Sequence, residues 1–170
     1  MSNRSVLADA FEHHVWATLR LIGICQSLSS DHLGSEVPGT FGSIIETFRH
    51  LVGADVSYHS AISGGNVARF DASEMGLAAL ASVMERNGPA WAAVLDEDLD
   101  PEQMVIRIRD DGSESHAPLG VRLAQALHHG TDHRSQICTA LTNRGITPPA
   151  IDVWDYAEHD GRLQDLPPPS

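Results

Sequence analysis

His129 and His133 stand four positions apart in Leu127-His128-His129-Gly130-Thr131-Asp132-His133-Arg134-Ser135-Gln136. In a helix that spacing sets two side chains one above the other on a single face. Two neutral imidazoles so placed can approach one cation at about 2.0–2.1 Å each, a donor set that first-row metals accept readily. A third ligand has to come from another element. The chain holds ten histidines, and the spacing alone leaves the register open, because His128 and Asp132 form a second pair four apart on an adjoining face.

The elements that must position such a site are helical. Leu119, Leu123, Ala126, Leu127, Ile137 and Leu141 recur at helical spacing over about residues 118–143, with Asn143-Arg144-Gly145 as the stop. A first helix is expected over about residues 5–29, where Leu7, Phe11, Val15, Leu21, Ile22, Cys25 and Leu28 form the apolar stripe. His14 lies near that stripe and reads as a core-edge histidine with a hydrogen-bond partner, or alternatively as a group supporting a metal ligand or as an extra ligand itself. The connector from Ser29 to Gly42 holds the turn pairs Pro38-Gly39 and Phe41-Gly42. Ser43-Ile44-Ile45-Glu46 is a capping box, so a second helix starts there; it runs to about residue 62, before Gly64-Gly65. Along its length Thr47, His50, Ala54, Ser57 and Ala61 make a row of small or polar residues around one imidazole, leaving the space that a ligand facing a pocket needs. His59, nine positions further on, points half a revolution away and cannot share a site with His50.

A third helix is expected over about residues 72–95, kinked or divided at Asn87-Gly88-Pro89 because proline lacks the N–H that bonds the preceding turn. The acidic run Asp96-Glu97-Asp98-Leu99-Asp100 reads as a solvated connector. Met104-Val105-Ile106-Arg107-Ile108-Arg109 alternates like a strand, and the turn Asp110-Asp111-Gly112 returns it through Ser115. In the tail after residue 145, Trp154 is expected to be a packing anchor, and the chain finishes in Pro167-Pro168-Pro169. The fold class is therefore all-α: a four-helix bundle with one small two-stranded β excursion before the last long helix, in a single domain over residues 1–170.

A chain of 170 residues buries roughly two thirds of its unfolded surface, so its core does not need a metal or a disulfide. Eleven basic residues stand against 23 acidic ones, a net charge of −12 that repels phosphate backbones and anionic lipid, so neither nucleic acid nor membrane is an expected partner. Cys25 and Cys138 sit in apolar helical patterns with no Cys-x-x-Cys, which reads as reduced, buried thiols. Met1-Ser2-Asn3-Arg4-Ser5 carries no apolar signal core, and no apolar run approaches the ~18 residues of a membrane span. A cytoplasmic location is the expectation.

Taken together, these segments resemble the DinB-like family, the bundle superfamily that includes the YfiT-like metal-dependent hydrolases, over nearly the whole chain. The residues that carry the resemblance are Pro38-Gly39-Thr40-Phe41-Gly42-Ser43-Ile44, Phe48-Arg49-His50-Leu51, the stretch from Leu127 to Gln136, then Gly145-Ile146-Thr147-Pro148-Pro149 and Asp152. The resemblance implies a DinB/YfiT-like bundle with a divalent metal held by His50, His129 and His133, which sets the register against His128 and Asp132. Ser135 departs from the glycine that relatives often carry there, without touching the implied ligands. Gln136 shares a row with His129 and His133 and is the better candidate to support a ligand; Arg134 reads more simply as a salt bridge at the bundle edge.

Three neutral imidazoles leave a metal at charge +2 with a position open, the pattern of reactive rather than closed structural sites. The resemblance implies a metal-dependent reaction on a small molecule, of the thiol-dependent S-transfer kind with a low-molecular-weight thiol as cosubstrate, since relatives include bacillithiol and mycothiol transferases and a mycothiol-dependent maleylpyruvate isomerase. Lewis-acid binding deprotonates a thiol at neutral pH, which gives that chemistry its physical sense. A metal-dependent hydrolase is less well supported, because no general base is identifiable beyond the ligands. The alternatives are a non-catalytic, stress-associated binder of a small ligand or metal, and a bundle whose histidines no longer act. Zinc, nickel and iron all suit the donor set, and a homodimer is the expected assembly.

Overall fold

The computed structural model describes residues 5–64, 70–109 and 111–166. Residues 1–4, Gly65, Asp110 and Pro167-Pro168-Pro169, on which some of the readings above rest, lie outside the described residues. The elements in order are α1 (Ala8–Cys25), α2 (Ser30–Leu33), α3 (Ile44–Ile62), α4 (Leu77–Leu95), β1 (Met104–Ile108), β2 (Glu114–Pro118), α5 (Leu119–Asn143) and α6 (Val153–His159). The structure is mostly helical, and the two strands pair antiparallel with Met104 opposite Pro118 and Ile108 opposite Glu114. Among the described residues no helix is long and apolar enough to cross a membrane.

Four features differ from the sequence reading. The connector after α1 contains the short helix α2, whose first turn is capped by the Ser29 side chain accepting the His32 N–H. The third long helix starts at Leu77 and is not divided at Pro89. Proline removes one backbone bond, but Asn87 Nδ2 donates to Asp55 Oδ2 at 2.7 Å on one side and Trp91 is fully buried on the other, so tertiary contacts hold both halves in one helix. The tail folds into α6, opened by a capping box in which Asp152 accepts from the N–H groups of Trp154 and Asp155 while Asp155 reaches back. Trp154 is not the anchor of that segment, being 70% exposed; Tyr156, two positions on and so on another face, is buried and donates its hydroxyl to Glu12 Oε2 at 2.6 Å.

The long helices close a ring in which α1 packs on α4, α4 on α3, α3 on α5 and α5 on α1. Two apolar clusters fill it. One gathers Leu21 and Ile22 of α1, Phe48 and Leu51 of α3, Leu80 and Met84 of α4, and Ile137 and Leu141 of α5. The other gathers Phe11, Trp91, Leu95, Val105, Leu119 and Leu123. Following each helix from one cluster to the other gives its direction: α1 and α5 run one way, α3 and α4 the other. The chain therefore does not simply turn back between α3 and α4.

A polar layer separates the clusters, with a group from every long helix. His14 of α1 is 1% exposed, Asp55 of α3 2% and Arg134 of α5 3%. Arg134 Nη1 lies 2.9 Å from His14 Nδ1 and His14 Nε2 lies 2.9 Å from Asp55 Oδ1. A guanidinium only donates, so His14 Nδ1 must accept and Nε2 must carry the hydrogen that goes to Asp55. His14 is thus a neutral relay between a buried cation and a buried anion. Asn87 and the Trp91 indole N–H also donate to the Asp55 carboxylate, at 2.7 Å and 3.2 Å. Burial pushes the Asp55 carboxyl up, but the hydrogen bonds from His14, Asn87 and Trp91 outweigh it and hold the group below the usual carboxylate range. Burial pulls Arg134 down to about 10, with Asp55 acting in the opposite sense, which leaves it charged at neutral pH. His14 is therefore deeper than the core edge, and Arg134 is an interior group rather than an edge salt bridge. Their partners lie 41 and 120 residues apart in sequence, where local pattern could not show them.

Gly130 makes room for this layer: a methyl group there would overlap the His14 ring. Replacing a mid-helix glycine with alanine ordinarily stabilises by about 1 kcal/mol. Here Gly130→Ala is expected to destabilise instead, by about 1–3 kcal/mol, because ring and guanidinium cannot both move aside. Urea unfolding midpoints of the two proteins measure the sign.

Candidate metal centre

His50 owes its position to the start of α3. The Ser43 side chain accepts from Glu46 N–H, Glu46 Oε2 accepts from Ser43 N–H at 2.9 Å, and the helix runs regularly from that cap through His50. α5 passes alongside in the opposite direction, which brings His129 and His133 against His50. One ligand-capable nitrogen from each of the three lies within 4.8 Å of the other two. His129 Nε2 and His50 Nε2 are 3.0 Å apart. Two ring nitrogens that close share at most one proton, and a cation can take its place. His128 and Asp132, the competing register, are both exposed and lie outside the cluster.

Gln136 fixes the third imidazole. Its Oε1 lies 3.0 Å from His133 Nδ1 and accepts the Phe41 backbone N–H at 3.1 Å. An amide oxygen that already faces a backbone donor can only accept, so His133 carries its hydrogen on Nδ1 and presents a lone pair at Nε2. Of the three residues read as supporting the ligands, Gln136 is the one with a hydrogen bond to a cluster imidazole among the described residues. His14 and Arg134 belong to the interior layer one turn behind.

Phe41 was legible only as part of a turn. Its ring stacks on His50 with centroids 3.9 Å apart and 19° between planes, and meets His133 edge-on at 5.4 Å. The turn that delivers it is held by the Thr40 hydroxyl, which donates to Val37 and Gly42 carbonyls, and by Gly39 in the left-handed region at φ +89°. The ring of Tyr58, which the sequence did not single out for the site, stands edge-on to His129 with centroids 5.5 Å apart. The signal for both was position: Phe41 two residues before the Ser43 cap, Tyr58 two turns beyond His50.

Two of the imidazoles, His50 and His129, face a cavity of about 430 Å³, with the buried His133 behind them. Gly53, Ala54 and Ser57 line it with His50 and His129, which is the open space that the small residues along α3 implied. Phe41, Tyr58, Phe70, Arg49 and Arg107 form the rest of the wall the site uses. Burial, and after it the neighbouring His133, lowers His50; burial, then His133 and His50, holds His129 down to about 4. Both rings are therefore neutral at pH 7, the form in which imidazole ligates. By contrast burial pushes the Cys25 thiol up to about 12 and raises Cys138 as well, so neither cysteine supplies a thiolate. Three clustered imidazoles, His133 oriented by Gln136 and the neutral His50 and His129 at the wall of an open cavity, are a donor set that fits a divalent transition metal.

A helical bundle with three imidazoles from two antiparallel helices beside a small-molecule cavity defines a class of candidate metalloproteins. Within that class this chain belongs to the DinB family, whose model matches residues 1–165. A solved structure of a DinB-like protein from Bacillus cereus ATCC 10987 superposes with a TM-score of 0.61 at 15% identity, covering 82% of this chain and 91% of that one. At that identity the likeness shows the shared fold. No curated protein matches this chain.

His129 titrates at about 4 in the folded chain against about 6.5 when unfolded. Between those values the unfolded chain binds more protons, so the contribution of this group to stability is present above about pH 6.5 and is lost as pH falls toward 4. Melting temperatures of metal-free protein across this window should fall less steeply in His129→Gln than in the unsubstituted chain. Equal slopes would show that His129 is not held neutral by the fold.

Proposed function

We propose that this chain is a metal-dependent enzyme acting on a small molecule, with a divalent transition metal held by His50, His129 and His133. The observation that supports it best is the convergence of three imidazoles, two of which, His50 and His129, line an open cavity. Bound there, such a metal supplies Lewis acidity that favours the thiolate of a small thiol, or the hydroxide form of water, at neutral pH. The chain's own part is to hold His50 and His129 neutral by burial, to orient His133 through Gln136, and to screen the site from bulk water on one side with the Phe41 ring.

The reaction we favour is transfer to or from a low-molecular-weight thiol. Burial raises the pKa of both thiols, which favours a nucleophile from outside the chain, and no carboxylate among the described residues hydrogen-bonds the histidine cluster as a general base for water would. Hydrolysis is the weaker reading for that reason, and a non-catalytic ligand binder needs the same cavity without turnover. Met104, Ile106 and Ile108, exposed along β1, support the pairing of two copies.

Untagged protein should carry about one equivalent of a transition metal per chain by elemental analysis, and His133→Ala should lose it while keeping its helical circular dichroism, because the core does not use the metal. If His133→Ala unfolds, the site is structural and the enzymatic reading falls. Gln136→Leu removes the acceptor that orients His133 and should weaken metal affinity by about 10–100-fold in a chelator competition. Loaded protein is then assayed for conjugation of small thiols to an electrophile; metal uptake without turnover of any thiol or ester would favour the binding protein.

A further inference from the structure

The chain as a whole carries a net charge of −12, yet the wall of the cavity beside the histidines holds Arg49 and Arg107 against one carboxylate, Asp71. Asp71 Oδ1 is occupied by the Ser73 N–H at 2.9 Å. Arg49 gives its Nε to the Met75 carbonyl at 2.9 Å. Arg107 differs from every other arginine around it. Arg109 donates to Ser113 Oγ at 3.0 Å, and Arg122 is spent on the carbonyls of Val105 and Ser115. No hydrogen bond or ion pair among the described residues engages the Arg107 guanidinium. The strand explains where it goes. Met104, Ile106 and Ile108 form one face of β1, so Arg107 shares the other face with the buried Val105 and reaches the cavity.

Tyr58 is half-committed in a similar way. Its hydroxyl oxygen accepts from Gln125 Nε2 at 3.2 Å, which leaves its own O–H hydrogen to donate, and no acceptor for it stands among the described residues. Its ring lies against His129. Phe41 and Phe70 give the same cavity two aromatic walls.

We infer that the cavity selects a small carboxylate with a flat apolar body: Arg107 holds the carboxylate, the rings of Phe41 and Phe70 hold the body, and the Tyr58 hydroxyl donates to an oxygen of the ligand beside His129. A planar guanidinium fork with no internal partner matches a carboxylate by two parallel hydrogen bonds. The reversal of sign between the acidic exterior and this wall raises the local concentration of small anions at the site. The inference rests on the reading of the histidine cluster as the reactive centre and names the class of substrate it serves.

Benzoate and its uncharged isostere benzamide are the probes, titrated by calorimetry onto the full chain, first metal-free and then after exposure to zinc, with zinc content measured on the same samples. Benzoate should bind the metal-free chain at least about tenfold more tightly than benzamide. Arg107→Gln should abolish that preference, Tyr58→Phe should weaken benzoate by about threefold, and Arg109→Gln, on the same hairpin, should leave it unchanged. Circular dichroism of Arg107→Gln, an exposed strand position, confirms that the fold is kept. Equal binding of the two probes, or equal losses in Arg107→Gln and Arg109→Gln, overturns the inference even where zinc is taken up. An Arg107-dependent preference in a chain that takes up no zinc upholds it and overturns the metal reading instead.

Discussion

Everything else in this bundle is arranged around the relay from Arg134 through His14 to Asp55. Taking a guanidinium and a carboxylate out of water costs several kcal/mol for each ion, and their attraction offsets this only where the remaining donors and acceptors are also satisfied. Here they are: Asn87 and Trp91 complete the carboxylate, Thr18 and Thr131 take further guanidinium hydrogens, and no buried side-chain nitrogen or oxygen among the described residues lacks a partner. Such a layer admits one mutual register of the four helices, since sliding any of them by a turn would strand a buried charge. Arg134 directly follows His133, and Asp55 lies five residues after His50, so the register that satisfies the layer is also the one that sets the three imidazoles face to face.

How far this was legible beforehand depended on whether a feature was local. Ser43-Ile44-Ile45-Glu46 announced a helix start because both partners of the capping box lie within four residues, and the Met104–Ile108 alternation announced a strand for the same reason. The histidine trio was reached differently. Spacing alone offered two registers on α5, and resemblance to a family chose His129 and His133 over His128 and Asp132. In the structure His133 is buried and His129 half-buried, while His128 and Asp132 are exposed.

What sequence did not show is tertiary. Pro89 reads as a break by any local rule, and only the contacts of Asn87 and Trp91 keep α4 whole. The pairing of His14 with Arg134 spans 120 residues, and Gly130 looks like a flaw in a helix until the ring it accommodates is in view. Asp152 and Asp155 do form a local capping signal, yet aspartate at the third helical position, where glutamate is usual, and the short run that follows hid α6. Trp154 misled because size suggests burial, whereas helical phase decides it.

The histidine pair that approaches to 3.0 Å is separated by 79 residues of chain. Neither α3 nor α5 offers more than part of the three-imidazole set, which is complete only once the two have docked. A cation that needed all three imidazoles would therefore bind the docked chain and not the unfolded one, and would add to the free energy of unfolding by mass action.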